Sequence, residues 1–225
     1  MRDLVGACAF FLLIHFGVSG TALRDALVKR LGEQPYRGLF SLASLAGMVW
    51  LIFAYRRAPY IQTWGLWLAF RPAAYVLVFI AFLLVVIGLL TPSSTTVGME
   101  SHLDPQGVRG VTRITRHPFL WGVAIWSATH LVVNGDAASL ILFGSLLVLS
   151  LGGTVSIDGK RRRHYGERWE AFARATSNVP FAAIASGANR LAPALAEIGL
   201  WRPLVAIVLF VAAFYLHGRF GYPLH

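Results

Sequence analysis

Six apolar runs, each near the ~20 residues a helix needs to cross the hydrocarbon of a bilayer, constrain this chain more than any other feature. They cover 4–23, 39–55, 73–90, 119–133, 137–157 and 200–217. No water is present in hydrocarbon to satisfy backbone amides, so such runs fold as helices, which close their hydrogen bonds within the segment. The composition agrees: 56% of the 225 residues are hydrophobic and 13% charged, whereas soluble domains carry about 25% charged residues. The expectation is an all-α integral membrane helical bundle, one domain over residues 1–225, with about six transmembrane helices and amphipathic helices on the cytoplasmic side. The fourth run is short for a span, so its helix either starts before Pro118 or ends against neighbours. The first run lacks the basic leader and small-residue cleavage site of a signal peptide, and is read as the first span.

Basic residues set the orientation, because positively charged connections stay in the cytoplasm. Arg24, Lys29, Arg30 and Arg37 follow the first run, Arg109, Arg113 and Arg116 precede the fourth, and seven more basic residues between Lys160 and Arg190 follow the fifth. The opposite connections carry fewer, which puts both termini outside. The net charge of +10 is thereby assigned to topology and to anionic membrane lipid, and no nucleic-acid partner is expected. A single cysteine, Cys8, excludes an internal disulfide and a CxxCH haem attachment. Any haem would be bound non-covalently.

Between the runs, Asp104-Pro105 reads as a helix N-cap with proline in the first turn. Asn134-Gly135-Asp136 reads as a tight turn with Asp136 capping the next helix. From 158 to 175, Tyr165, Trp169, Phe172 and Ala173 recur at helical spacing against arginines, the pattern of a helix lying in the membrane interface, and Ser177-Asn178-Val179-Pro180-Phe181 breaks it.

Two histidines carry the functional signal. An ionisable residue inside a span is costly and marks a site by default, and His15 stands in the first run while His117 opens the fourth. His15 lies about 8 residues, roughly 12 Å, from the inner end of its run, and His117 enters from that same side. Two imidazoles so placed suit a metal cofactor between helices, and bis-histidine haem ligation is one such arrangement. Zinc or copper is open on ligand type alone, as is a purely structural hydrogen bond. Arg109, Arg113 and Arg116 suit carboxylates or phosphates: haem propionates, a nucleotide-like cofactor or lipid headgroups, or plain anchoring. His130, at the other end of the fourth run, is read as structural, and His102, His164, His217 and His225 as solvated.

The stretch RITRHPFLWGVAIWSATHLVVNGDAASLILFG and the later RRRHYGERWEAFARATSNVPFAAIASG, with His15-Phe16-Gly17 in the first run, resemble the NnrU family of bacterial membrane proteins. The plant and cyanobacterial 15-cis-zeta-carotene isomerases are similar to that family. The resemblance implies a bacterial inner-membrane protein holding haem b, with His15 and His117 as axial ligands; Arg113 and Arg116, by their paired donors, are the candidate contacts to the cofactor. It also implies a role in nitric oxide and nitrite metabolism, or haem-dependent isomerisation of a double bond in a hydrophobic small molecule.

Membrane methyltransferases of the isoprenylcysteine and phospholipid type offer the rival reading, with S-adenosylmethionine as cofactor. Their RHPxYxG motif appears here as Arg116-His117-Pro118-Phe119-Leu120-Trp121-Gly122, and Tyr165-Gly166, Trp169 and Phe172 fall in their second motif. Ile157-Asp158 replaces that motif's glutamate pair. Methyl transfer has no use for His15, whereas axial ligation does. A non-catalytic membrane factor with a structural histidine pair is the third class.

Overall fold

The computed structural model describes residues 1–91 and 108–220, so the Asp104-Pro105 cap, His102 and His225 lie outside the described residues. Among these, the regular elements are helical, with one isolated antiparallel bridge between Gln62 and Asp136. Helix α1 (Arg2–Leu12) runs into a π-helical turn, Leu13–Val18, followed by α2 (Ala22–Leu31) and α3 (Glu33–Arg57). A 3-10 turn, Leu68–Phe70, leads into α4 (Arg71–Leu89), and another, Gly110–Arg113, precedes α5 (Pro118–Asn134) and α6 (Ala137–Tyr165). The remainder comprises α7 (Glu167–Ala175), α8 (Ala182–Ala185), α9 (Leu191–Ile198) and α10 (Trp201–Phe220).

Three helices among the described residues are long and apolar enough to cross a membrane: α3, α4 with its leading turn, and α6. The number rises to five if each of two bent pairs is one span. The 17 residues of α5 make about 25 Å at 1.5 Å per residue, the lower limit of a span. That helix begins at Pro118, because a residue before proline is driven out of the α region while proline itself suits the first turn.

The first run departs from expectation. It does not continue to Leu23 as one helix: Ser19 N–H donates back five residues to the Ile14 carbonyl (3.0 Å), the helix ends at Val18, and α2 leaves at 78°. Gly17 and Gly20 weaken the helix here, and the Thr21 hydroxyl caps α2 at Leu23 N–H. His15 therefore lies three residues from the end of its helix rather than about eight.

Contacts divide the chain into two compact units, residues 1–74 with 127–156, and residues 75–126 with 157–225. In the first, Leu4, Ala7, Cys8 and Phe11 of α1 meet Leu51 and Ala54 of α3, Ala58, and Ala138 of α6. Small residues dominate because lipid tails are as apolar as leucine, so helices associate through close packing rather than through escape from water. Gly47 receives the Phe10 and Phe11 rings, and Trp50 donates its indole N–H to Asp3 (2.8 Å). Leu39, Leu42, Leu45, Ile52 and Phe53 of α3 stay exposed, as a lipid-facing side requires. The Asn134-Gly135-Asp136 turn forms as expected: Gly135 has φ +57°, its carbonyl accepts from Thr63 and Gly65 N–H (both 2.9 Å), and Asp136 Oδ1 caps Ser139 N–H (3.0 Å).

In the second unit, Ile87 of α4 packs with Val111, Ile114, Ala194 and Ile198. Arg202 donates to the exposed carbonyls of Glu197 (3.2 Å) and Ile198 (2.8 Å) at the end of α9, satisfying acceptors the bend into α10 would strand. The apolar face of α7 does not lie in lipid. Trp169 and Phe172 are buried against Val108, with Tyr165 and Ala173 packed around them, so this amphipathic helix covers protein.

Helices α4 and α5 meet at Gly122, where an added Cβ would stand 2.7 Å from the Ala81 carbonyl oxygen and 3.0 Å from Val85 N. Backbone cannot move aside as a side chain can, so Gly122→Leu is expected to cost about 1–3 kcal/mol or more. Thermal unfolding in detergent checks this, with a lowered midpoint expected. Gly144→Ala, whose Cβ meets nothing nearer than 3.8 Å, holds or raises the midpoint.

Candidate functional site

The segment entering α5 is held against the segment 177–181. Arg116 N–H donates to the Ser177 carbonyl (2.9 Å) and Phe181 N–H to the Ile114 carbonyl (2.8 Å). The Thr115 hydroxyl donates to the Asn178 carbonyl (2.6 Å) and accepts from His117 N–H (3.2 Å), while the Trp121 indole donates to Asn178 Oδ1 (3.2 Å). Phe181 is held at φ +65°, a left-handed conformation costing a non-glycine residue on the order of 1–3 kcal/mol. Its hydrogen bond to Ile114 ties that strained residue to the α5 entrance.

This clamp presents His117 to α6. His117 is 3% exposed, and its Nε2–H donates to Asp158 Oδ1 (2.7 Å). Arg116 grips the same carboxylate, with Nε 3.0 Å from both oxygens and Nη2 on Oδ2. The guanidinium lies 5.8 Å from the Trp169 ring centre and its Nη1 is 3.5 Å from the Thr176 carbonyl. Side-chain exposure is 1% for His117, 13% for Arg116 and 14% for Asp158, so the three form one buried polar group. Burial holds the His117 imidazole below its ordinary range, opposed by the hydrogen bond and charge of Asp158 and reinforced by the charge of Arg116. With Nε2 donating, the lone pair of the neutral ring resides on Nδ1.

Arg113, four residues earlier, has a different partner. Its Nε and Nη2 form a two-pronged pair with Glu197 of α9 (both 2.8 Å), and Nη1 donates to Asn189 Oδ1 (2.8 Å). Glu197 also accepts from Gly110 N–H (2.7 Å), so the 3-10 turn and α9 share one carboxylate. That carboxylate holds the Arg113 guanidinium more firmly protonated than usual. The forks of Arg113 and Arg116 both face protein carboxylates, which a cofactor propionate would have to share or displace.

His15 belongs to the other unit. It is half-buried on the π-helical turn. Its Nδ1 lies 2.8 Å from the Phe11 carbonyl, which as an acceptor requires Nδ1–H. Phe11 and Phe40 flank the ring at centroid distances of 4.4 and 5.3 Å. Turns of this type recur at functional sites.

Among the remaining candidates, His130 stacks on Phe143 at 4.9 Å and Cys8 is buried with Sγ 3.8 Å from the Ile141 carbonyl. Arg109 is exposed, as are His164 and His217. No cluster of three or more His, Cys, Asp or Glu side chains among the described residues could hold a metal ion; a two-histidine axial site needs no such cluster.

The sequence profile described as NnrU protein matches residues 3–223. The chain belongs to the NnrU family. It is similar to the chloroplastic 15-cis-zeta-carotene isomerases of Arabidopsis thaliana and Zea mays, each 29% identical over 216 residues, or 92% of this chain. The match spans 57% of the length of those relatives. No solved structure matches.

In this NnrU-family chain the residue that sequence reasoning passed over is Asp158, noted only as a departure from a methyltransferase motif. A signal was present: acidic residues number 10 against 20 basic ones, and this one closes the fifth apolar run, 41 positions from His117. Glu197 and Asn189 carried no comparable mark.

Removing one partner of a buried ion pair strands the other charge, which costs about 3–5 kcal/mol. Arg116→Met is expected to lower stability by about that amount in detergent unfolding, and Arg116→Met with Asp158→Asn to recover most of it. Arg168→Met, at an exposed position of α7, stays within about 0.5 kcal/mol of wild type.

Proposed function

We propose that this protein binds haem b non-covalently through His15 and His117 and catalyses cis–trans isomerisation of a double bond in an apolar, membrane-dissolved substrate. The observation that carries the cofactor assignment is the hydrogen bonding of the two rings. Each has one nitrogen next to an oxygen acceptor, Phe11 O for His15 and Asp158 Oδ1 for His117, which favours the tautomer carrying its proton on that nitrogen. A ring so oriented and kept neutral is the form that ligates iron, and such outer partners typically accompany metal-bound histidines. When bound, the haem would supply an iron centre able to lower the barrier to rotation about a conjugated double bond. The isomerase assignment draws on the relatives' name. The protein's own part is to hold both imidazoles in the ligating tautomer and keep water from them, through Phe11 and Phe40 at His15 and through burial at His117. The proposed location is the bacterial cytoplasmic membrane, with the basic end of α6 and α7 inside and both termini outside.

The test is the visible spectrum of detergent-purified protein, oxidised and dithionite-reduced, with a pyridine haemochromogen assay. One b-type haem per chain is expected, lost or strongly reduced in His15→Ala and His117→Ala. Incubation of the loaded protein with a linear 15-cis polyene then reads isomerisation by chromatography. Nitric oxide binding without isomerisation would move the assignment to nitrogen-oxide chemistry. A colourless protein, expressed with ample haem, overturns the reading and directs the next assay to S-adenosylmethionine.

A further inference from the structure

We infer that the connection from α3 to α4, residues 58–70, is a membrane anchor: a tied-down loop whose aromatic and aliphatic side chains lie in the interfacial layer of the lipid bilayer. The loop and the residues that hold it belong to the first unit, and the inference is independent of any cofactor.

A connection between two spans ordinarily meets water and is polar. Here Tyr60, Ile61, Trp64, Trp67 and Leu68 are each more than half exposed. Left in water, an apolar surface of this kind invites association. Nor is the loop slack chain that could fold these side chains away. The Ile61 carbonyl accepts from Ala137 N–H (2.8 Å), Thr63 and Gly65 N–H donate to the Gly135 carbonyl (both 2.9 Å), and Trp67 N–H donates to the Val133 carbonyl (3.1 Å). The Thr63 hydroxyl also donates to the Gly135 carbonyl (2.6 Å), and the Trp64 indole N–H donates to the Val132 carbonyl (2.9 Å). The two segments approach so closely that a Cβ on Gly135 would run into the Gly65 carbonyl. Trp67 is stacked on Phe70 at 5.3 Å between ring centres. The exposed side chains are therefore held in a shaped surface.

Lipid is selected as the occupant by hydrogen bonding, depth and charge. Non-helical backbone stands beside hydrocarbon only where protein satisfies its polar groups, and the bonds to residues 132–137 do this for the donors at 63, 65 and 67. The Trp64 indole N–H is satisfied within the protein as well, so that ring offers lipid an apolar surface. Depth follows from the last turn of α5, to which the loop is tied. The 17 residues of that helix are the lower limit of a span, so its end lies near the edge of the hydrocarbon. The lipid-facing side of α3, exposed through Ile52 and Phe53, leads directly into the loop. Arg56 and Arg57 close α3 and Arg71 opens α4, and none of the three forms an ion pair among the described residues. Arginines at such a place extend to lipid phosphates while tryptophan and tyrosine fill the layer beneath, an arrangement that fixes the depth of the adjoining spans.

The test is the accessibility of spin labels on the full-length protein in vesicles of phosphatidylethanolamine and phosphatidylglycerol. In a Cys8→Ser background, Tyr60→Cys, Ile61→Cys and Leu68→Cys each carry one nitroxide. Leu45→Cys, exposed in the middle of α3, is the hydrocarbon reference, and Arg168→Cys, exposed on α7, is the water reference. All five side chains are exposed, so folding does not depend on them, and the three loop positions give separate readings. Power saturation reads collisions with oxygen, which concentrates in hydrocarbon, and with a neutral nickel chelate, which stays in water. The expected result at all three loop positions is more oxygen collision and less nickel collision than at Arg168→Cys, a shift toward the Leu45→Cys ratio. A ratio equal to that of Arg168→Cys puts the loop in water and overturns the inference. Low collision with both reagents overturns it as well, because protein then covers the surface; dipolar broadening that disappears on dilution with unlabelled protein identifies the cover as a second copy of this chain.

Discussion

Hydrocarbon offers no water to a backbone amide or to a polar side chain, and many of the polar groups described in this protein find protein partners under that constraint. In the first unit, Ser150 and Thr154 return their hydroxyls to carbonyls of their own helix. Tyr55 pairs with Ser139, which also accepts from Asn134. His15 does the same and pays a local cost in regularity: its ring sits against the Phe11 carbonyl, and the backbone there passes from α-helical to π-helical bonding. The polar residue and the irregular turn are thus one feature. In the second unit the constraint produces a buried group, since a histidine, a carboxylate and a guanidinium satisfy one another where none could stand alone.

Packing follows the same logic. Without a hydrophobic drive between helices, association rests on shape, so glycine and alanine stand where helices touch: Gly47 under two phenylalanine rings, and Gly122 against the backbone of α4. Large apolar side chains point the other way. On α10, Leu204, Val208, Val211 and Tyr215 are all more than half exposed, the inverse of a soluble helix and the normal state of one solvated by lipid. Where the chain leaves the hydrocarbon the rule changes back, and α7 buries Trp169 and Phe172 under itself as a water-facing helix would. The sequence pattern of α7 suited lipid and protein equally, because both present an apolar surface to an amphipathic face.

The functional reading depends on how these local solutions differ. Two histidines that look alike in the sequence have unlike surroundings: one against a neutral carbonyl on a loosened turn, half-exposed, the other deep in an ion pair anchored by a strained residue at Phe181. Family membership says that a chain of this kind is a membrane NnrU protein with isomerase relatives. The surroundings say what each imidazole is prepared to do.

By itself the sequence determined the class of solvent, the helical fold, the position of the Asn134-Gly135-Asp136 turn and the two histidines worth attention. All of these follow from short windows: run length, a turn tripeptide, an ionisable residue in an apolar segment. Only the tertiary structure decided that the first run breaks at Val18, that α7 covers protein, and that Arg113 and Arg116 answer to Glu197 and Asp158. Those outcomes depend on residues 41 to 84 positions apart, or on the competition between a side chain and its own helix for one carbonyl. Periodicity records which face of a helix is apolar. It holds no record of which distant charge will arrive to neutralise an arginine, because that pairing is set by the lengths and packing of the helices that carry the two groups.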